Sequence, residues 1–187
     1  MPLTTYTAGQ VLTAASLNAN LSFAATNGLT LIKAQTIGTT VGSVTVSDAF
    51  SSTYDDYQIV VSGGVASTDN VLAMTLGATA TGYYYGGSYN SYATNTFSGD
   101  NAQNTTNWTV GVGSANNLDT VIQLKLPFVA KNTLYNSAGA RSATSGISIR
   151  YGGYLANTTS YTAFTITALT GTMTGGTVYV YGYQKAL

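Results

Sequence analysis

Residues of the chain alternate between apolar and polar at every second position from Leu31 onward, and Val, Ile, Thr, Tyr and Phe replace the Ala and Leu of the first residues. This period of two places successive side chains on opposite faces of a β-strand, and these residue types favour strands. Gly-rich turns separate the strand-like segments, and no second helical pattern follows them. The sequence therefore predicts an all-β fold, an antiparallel β-sandwich or jelly roll preceded by a short N-terminal α-helix.

Nine segments carry the strand pattern, namely residues 30–37, 41–46, 57–62, 71–76, 108–112, 121–126, 146–151, 161–168 and 177–184. Paired glycines, which are typical of turns, are expected between strands at Gly63-Gly64, Gly86-Gly87, Gly152-Gly153 and Gly175-Gly176. In one segment Ile122 and Leu124 alternate with Gln123 and Lys125, which predicts a half-buried strand. In the last segment Tyr179, Tyr181 and Tyr183 alternate with valines, so one of its faces is expected to meet a neighbour.

The helical segment has apolar residues at spacings of three and four, namely Ala14, Leu17, Leu21 and Ala24. Thr13 is placed as its N-cap and Asn27-Gly28 as its end. A helix of about three turns is marginal alone in water, so its apolar side is expected to dock on its own domain, a sister subunit or another protein. We therefore divide the chain into an attachment segment, residues 1–29, and a β-sandwich domain, residues 30–187. The residues expected to contact the partner are Val11, Leu12, Ala14, Leu17, Leu21 and Phe23.

The side chains that most often perform catalysis are scarce in this sequence. It contains no His, no Cys and no Glu, and its six acidic residues are all Asp. We therefore expect a non-enzymatic protein with no catalytic residues, no metal site and no cofactor. Asp55 and Asp56 are adjacent, but neighbours in a strand point to opposite faces, so a turn into the next strand is favoured over a catalytic carboxylate pair.

The charge of the chain is low and balanced, with six basic and six acidic residues and only 6% charged residues in all. No basic stripe is available for phosphate backbones or anionic lipids, so neither nucleic acid nor membrane is an expected partner. No run of residues matches a signal peptide or a membrane span, which predicts synthesis in a cytoplasm. A nearly neutral surface favours a subunit held in an assembly.

A tyrosine-rich stretch, residues 78–107, has little regular alternation and is expected to form long loops or a distorted hairpin outside the sandwich. Aromatic rings stack on sugars, and Asn, Ser and Gly supply adaptable hydrogen bonds. The alternative is that these rings pack across loops or close a subunit interface. The candidate recognition or interface residues are Tyr83, Tyr84, Tyr85, Tyr89, Tyr92 and Trp108.

Three segments resemble proteins of tailed-bacteriophage particles. Residues 6–18, YTAGQVLTAASLN, resemble the N-terminal segment of many fibre-type and minor structural virion proteins. Residues 50–63, FSSTYDDYQIVVSG, are similar to a segment of β-sandwich proteins of phages from aquatic bacteria, and residues 176–183, GTVYVYGY, resemble their last strand. The resemblance covers about a fifth of the chain. It implies a virion surface protein made in the host cytoplasm, a homotrimer attached by its N-terminal segment.

Two placements in the particle follow from the resemblance. A head decoration or cement protein would bind the major capsid protein and stabilise the shell, and this placement is favoured because the chain lacks a long repetitive shaft. A short tail fibre or fibre tip would bind tail proteins through its N-terminus and a host surface glycan through the tyrosine-rich region. Outside the phage class, a free lectin-like module would bind sugar in isolation, and a polysaccharide-degrading enzyme would depend on Asp55 or Asp56.

Overall fold

The computed structural model describes residues 5–11, 13–18, 20 and 28–185. Twelve β-strands fill most of this part of the chain, and every pairing between them is antiparallel. The strands are β1 Leu29–Thr36, β2 Ser43–Val46, β3 Asp56–Ala66, β4 Asn70–Leu76, β5 Tyr83–Ser91, β6 Thr96–Thr105, β7 Trp108–Gly113, β8 Leu118–Lys125, β9 Thr133–Arg141, β10 Ile147–Leu155, β11 Phe164–Ala168 and β12 Met173–Tyr183.

The strands form two packed layers. The large sheet has the order β1-β12-β3-β8-β9-β10-β5-β6, and the small sheet has the order β2-β11-β4-β7. Two residue pairs between β7 and β8 join the sheets at one corner. The order β1-β12-β3-β8 in one sheet and β2-β11-β4-β7 in the other is that of a jelly roll. Each pair of neighbouring strands among the first four is connected along the chain to a pair of neighbouring strands among the second four, as β1 and β12 are to β2 and β11. The predicted fold class is therefore confirmed.

Two hairpins are inserted into the jelly roll and widen its large sheet. The β5–β6 hairpin follows β4, and the β9–β10 hairpin follows β8. The two hairpins pair with each other through β10 and β5, so β6 becomes the outer edge of the large sheet. The tyrosine-rich stretch that was expected to form loops or a distorted hairpin contains this β5–β6 hairpin, with a register shift between Tyr83 and Tyr85.

The hydrophobic core lies between the two sheets and follows the predicted alternation. Ile122 and Leu124 on β8 are fully buried, whereas Gln123 and Lys125, which alternate with them, are exposed. The center of the aromatic part of the core is Trp108, whose ring stacks on Tyr135 with centroids 4.5 Å apart. The edge of Tyr83 meets the same indole at 5.1 Å. Because three large rings fill the space under the inserted hairpins, these hairpins are anchored to the jelly roll.

The glycine pairs do not form turns, which corrects the prediction from the sequence. All four pairs lie inside strands, in β3, β5, β10 and β12. A Cβ atom added to Gly64 would lie 2.3 Å from the carbonyl oxygen of Gly175 on the neighbouring strand. Glycine is therefore needed here because two backbones approach closely, which is its usual role inside a strand. The sequence pattern does not predict strands β5, β6 and β9.

The N-terminal helix begins where the sequence predicts. Residues 14–18 and 20 are helical, and the Ser16 amide donates to Oγ1 of Thr13 at 3.2 Å, as expected of an N-cap. The Leu17 amide donates to the Thr13 carbonyl at 3.0 Å. Leu12, Leu21 and Phe23 lie outside the described residues, as does the predicted end of the helix at Asn27. Among the described residues, no helix has the length and apolar character needed to cross a bilayer.

Candidate functional site

The face of the large sheet that points away from the small sheet carries a row of small and amide residues across five strands. The strand registers place Gln123 of β8 beside Asn136 of β9, Asn136 beside Gly152 of β10, Gly152 beside Gly86 of β5, and Gly86 beside Asn101 of β6. We call these five residues the glycine-amide row. Gly86 leaves the sheet surface open, because no atom lies within 4 Å of its Cβ position, whereas the side-chain oxygen of Asn136 lies 2.7 Å from the Cβ position of Gly152.

Two further rows of outward-pointing residues flank the glycine-amide row, and their largest side chains are Tyr84, Tyr154 and Arg150. One flanking row holds Leu134, Tyr154 and Tyr84, and the other holds Val121, Ala138, Arg150 and Ser88. Two depressions of about 310 and 400 Å³ lie along the row, one on β8, β9 and β10 and the other on β10, β5 and β6, and the Asn136 side chain lies over Gly152 between them. We call them together the outer trough.

The tyrosines of the outer trough form a fixed pair. The rings of Tyr84 and Tyr154 are parallel within 1°, and their centroids are 4.9 Å apart. Tyr154 remains 39% exposed. The backbone beneath the pair is tied to the core, because the indole nitrogen of Trp108 donates to the Tyr154 carbonyl at 3.3 Å. The pair therefore presents aromatic surface at a defined position on the sheet.

The polar groups of the outer trough have unused hydrogen-bonding capacity. Within the described part of the chain, no protein group hydrogen-bonds to the amides of Asn101, Gln103, Gln123 and Asn136 or to the hydroxyls of Tyr84 and Tyr154. Arg150 is the one charged residue among those lining the two depressions. The trough therefore offers donors and acceptors on a nearly neutral surface.

Tyr83 and Trp108, two of the predicted recognition residues, are fully buried and cannot contact a partner. The prediction that they lie on the surface is corrected, because residues alternate along β5 and Trp108 begins a strand of the small sheet. The Tyr83 hydroxyl accepts from the Leu76 amide at 2.8 Å and donates to the Thr79 carbonyl at 3.1 Å. Burial raises the pKa of Tyr83 to about 12.

The remaining predicted tyrosines separate into three environments. Tyr84 lies in the outer trough, while Tyr85 and Tyr89 pack against the core on the opposite face of β5. The ring of Tyr85 meets Tyr151 edge-on at 5.8 Å. Tyr92 follows β5 at the tip of the hairpin and is 59% exposed. The six predicted recognition residues therefore do not form one site.

Several residues of the outer trough were not predicted from the sequence. Tyr154 follows the predicted segment 146–151, because β10 continues to Leu155. Asn136 lies on β9, a strand that was missed. The sequence does contain a pattern that extends β10 to Tyr154. Ile149, Tyr151 and Leu155 lie at alternate positions on its buried face, so the strand continues past residue 151.

The described residues that the sequence predicts to contact a partner are exposed. Val11 is 81% exposed, Leu17 is 41% exposed and Ala14 is exposed as well. None of the three belongs to the hydrophobic core, whose first residue is Ile37. Leu12, Leu21 and Phe23 lie outside the described residues. The apolar side chains of Val11, Ala14 and Leu17 are thus available to a partner.

The last strand divides its side chains as the alternation predicts. Val178 and Val180 are fully buried in the core, and Tyr179, Tyr181 and Tyr183 lie half-buried on the outer face. Tyr179 and Tyr181 stack at 6.4 Å.

Each of the two adjacent aspartates has a lysine as a neighbour, and Asp55 forms an ion pair with its lysine. Asp55 pairs with Lys185 at 2.9 Å, and Asp56, the first residue of β3, lies opposite Lys125 of β8. Among the described residues, no group of three His, Cys, Asp or Glu side chains could hold a metal ion.

No protein family, curated protein or solved structure matches this chain. The functional assignment therefore rests on the sequence and on the geometry of the jelly roll.

Proposed function

We propose that this protein is a non-enzymatic structural protein of a tailed-phage virion, a head decoration or cement protein that binds the capsid surface and stabilises it. The observation that carries the proposal is the exposure of the attachment segment, where Val11 and Leu17 lie outside the core. Exposed apolar side chains on a short helix and just before it favour docking on a partner. In this proposal the partner is the major capsid protein, and the protein is a homotrimer.

The fold and the surface agree with this role. Double-sheet jelly rolls are frequent in viral capsid and lectin domains, although a fold alone does not assign a function. The net charge of zero gives the subunits little mutual repulsion when many copies lie side by side. The three phage-like segments of the sequence supply the link to a virus particle.

A second candidate is a short tail fibre or fibre tip, attached to tail proteins by the same segment and binding a host surface glycan. The outer trough favours this candidate, because its stacked tyrosines and free amides suit a sugar. The glycan would lie on the outer face of the inserted hairpins rather than on loops.

Counting copies in purified particles distinguishes the two candidates. The protein is quantified by mass spectrometry against the major capsid protein of the phage that encodes it. Hundreds of copies per particle would establish the decoration role, whereas a few or a few tens would move the protein to the tail. Its absence from particles would overturn the proposal.

The attachment segment is tested with paired substitutions. Leu17→Asp adds a charge to the exposed helix, and Leu169→Asp adds the same charge at an exposed leucine of the β-sandwich domain. We expect Leu17→Asp to abolish binding to particles that lack the protein, with an unchanged melting temperature, and Leu169→Asp to bind normally. Normal binding of Leu17→Asp would contradict attachment through this helix.

A further inference from the structure

We propose that the outer trough is a binding site for a neutral glycan chain, which lies across the strands of the large sheet along the glycine-amide row. The site is built entirely from the β-sandwich domain. The proposal rests on the second candidate function, whose ligand it narrows to a neutral chain, and it is tested on the protein in solution, so that its failure leaves the copy-number test of the virion role unaffected.

The shape of the trough suits a chain rather than a single sugar. The glycine-amide row crosses five strands, and four strand spacings of about 4.8 Å give a length of about 19 Å. At its middle, Gly86 has open space where a Cβ would stand, with no atom within 4 Å. A ligand can therefore reach the backbone of the sheet at this position.

The side chains of the outer trough match the two kinds of surface on a sugar. The fixed pair of Tyr84 and Tyr154 offers apolar aromatic surface for the C–H faces of a ring. The free amides of Asn101, Gln103 and Asn136 each present donors and an acceptor, which matches hydroxyl groups that do both. Since the tyrosine pair is already ordered in the free protein, binding loses little side-chain entropy there.

The charge of the trough selects a neutral ligand. Its lining residues include no carboxylate, and Arg150 on one wall is the one cationic side chain. A polyanion such as a nucleic acid or a uronate-rich polysaccharide would need several cations along its length. The amides and glycines that make up the glycine-amide row supply no such cations.

The test fills the floor of the trough without disturbing the fold. Gly86→Leu places a side chain in open space on the floor, and Gly42→Leu does so at a glycine before β2 that also has no atom within 4 Å of its Cβ position. Tyr154→Ala is a second variant that removes one ring of the exposed pair. Melting temperatures confirm that each variant is folded.

Binding is measured by calorimetry with the full chain and neutral hexasaccharides of glucose, mannose, galactose and N-acetylglucosamine, with hexagalacturonate as the acidic probe. We expect at least one neutral hexasaccharide to bind with a Kd in the millimolar range or below, and Gly86→Leu and Tyr154→Ala each to weaken it about tenfold or more. Gly42→Leu should bind as the parent does. Failure of all four neutral probes, binding of the acidic probe alone, or parental binding by Gly86→Leu would overturn the proposal.

Discussion

Gly86 and Gly152 are direct cross-strand partners on the outer face of the large sheet. Their chain neighbours Gly87 and Gly153 point to the opposite face, where Gly87 leaves room for the ring of Tyr151. One strand thus uses two consecutive glycines for two purposes. Gly86 keeps the floor of the outer trough low, and Gly87 allows the aromatic core beneath the inserted hairpins to pack.

Alanine substitutions at these two consecutive glycines should have different effects. A Cβ on Gly87 would lie 2.3 Å from the Tyr151 ring and 2.4 Å from the Arg150 carbonyl oxygen, so Gly87→Ala should lower the free energy of unfolding by about 1–3 kcal/mol. Gly86→Ala meets no atom and should change stability by less than about 0.5 kcal/mol. Urea unfolding of both variants measures the difference. Equal effects would contradict the assignment of the two faces.

Alkaline pH should destabilise the protein through its buried tyrosines. Burial raises the pKa of Tyr83 to about 12, and it also raises the pKa values of Tyr57, Tyr135 and Tyr151. The unfolded chain releases these protons near pH 10, whereas the folded chain retains them. The stabilising contribution is therefore complete below about pH 10 and is lost as the pH rises toward 12, at up to about 1.4 kcal/mol per pH unit for each group.

The neutral range provides the control for this pH dependence. The sequence has no His and no Cys, so the unfolding free energy should change little between about pH 6 and pH 9. The Tyr83→Phe variant should show a smaller decrease between pH 10 and pH 12 than the parent. Urea unfolding followed by circular dichroism at each pH gives both quantities. An unchanged slope in Tyr83→Phe would show that Tyr83 does not contribute.

A buried asparagine holds the start of β4 to the loop that follows β11. The side-chain amide of Asn70 donates to the Thr170 carbonyl, and its oxygen accepts from the Thr170 amide at 3.3 Å. Asn70→Ala removes both of these part-buried bonds, so it should cost about 1–3 kcal/mol. The matched variant Asn116→Ala removes an exposed amide that donates to the Ser142 carbonyl and should cost less than about 1 kcal/mol. Similar losses in thermal unfolding would contradict the role of burial.

The jelly roll could be predicted because its strands carry their own alternation. Phe164 and Ile166 of β11, for example, are apolar at every second position, and both are fully buried. Strand β9 carries a weaker signal, since Asn136, Ser137 and Ala138 have a low preference for strands. It is held instead by pairing with β8 on one side and β10 on the other. Long-range pairing thus overrides local preference in this strand.

The outer trough could not be predicted from the sequence, because its floor comes from five strands. Asn101 and Gln123 lie at its two ends, and only the registers of four pairings bring them into one row. The local sequence also predicts turns at the paired glycines, whereas in the structure a pair such as Gly63-Gly64 lies inside a strand and allows a neighbouring strand to approach closely. The alternation of β5 does distinguish Tyr84 from the buried Tyr83, once residues 83–91 are assigned as a strand.

The stacked tyrosines of the outer trough should be energetically coupled. Parallel rings 4.9 Å apart interact by about 0.5–1.5 kcal/mol beyond the area that they bury. In a double-mutant cycle, the double variant Tyr84→Ala/Tyr154→Ala should therefore lose less unfolding free energy than the sum of the losses of the two single variants, and the difference should be about 0.5–1.5 kcal/mol. Tyr84→Ala combined with Leu169→Ala, which lies in the loop after β11, should be additive within about 0.5 kcal/mol. Additivity of the tyrosine pair in urea unfolding would show that the two rings do not support each other, and the trough would then lack its fixed aromatic wall.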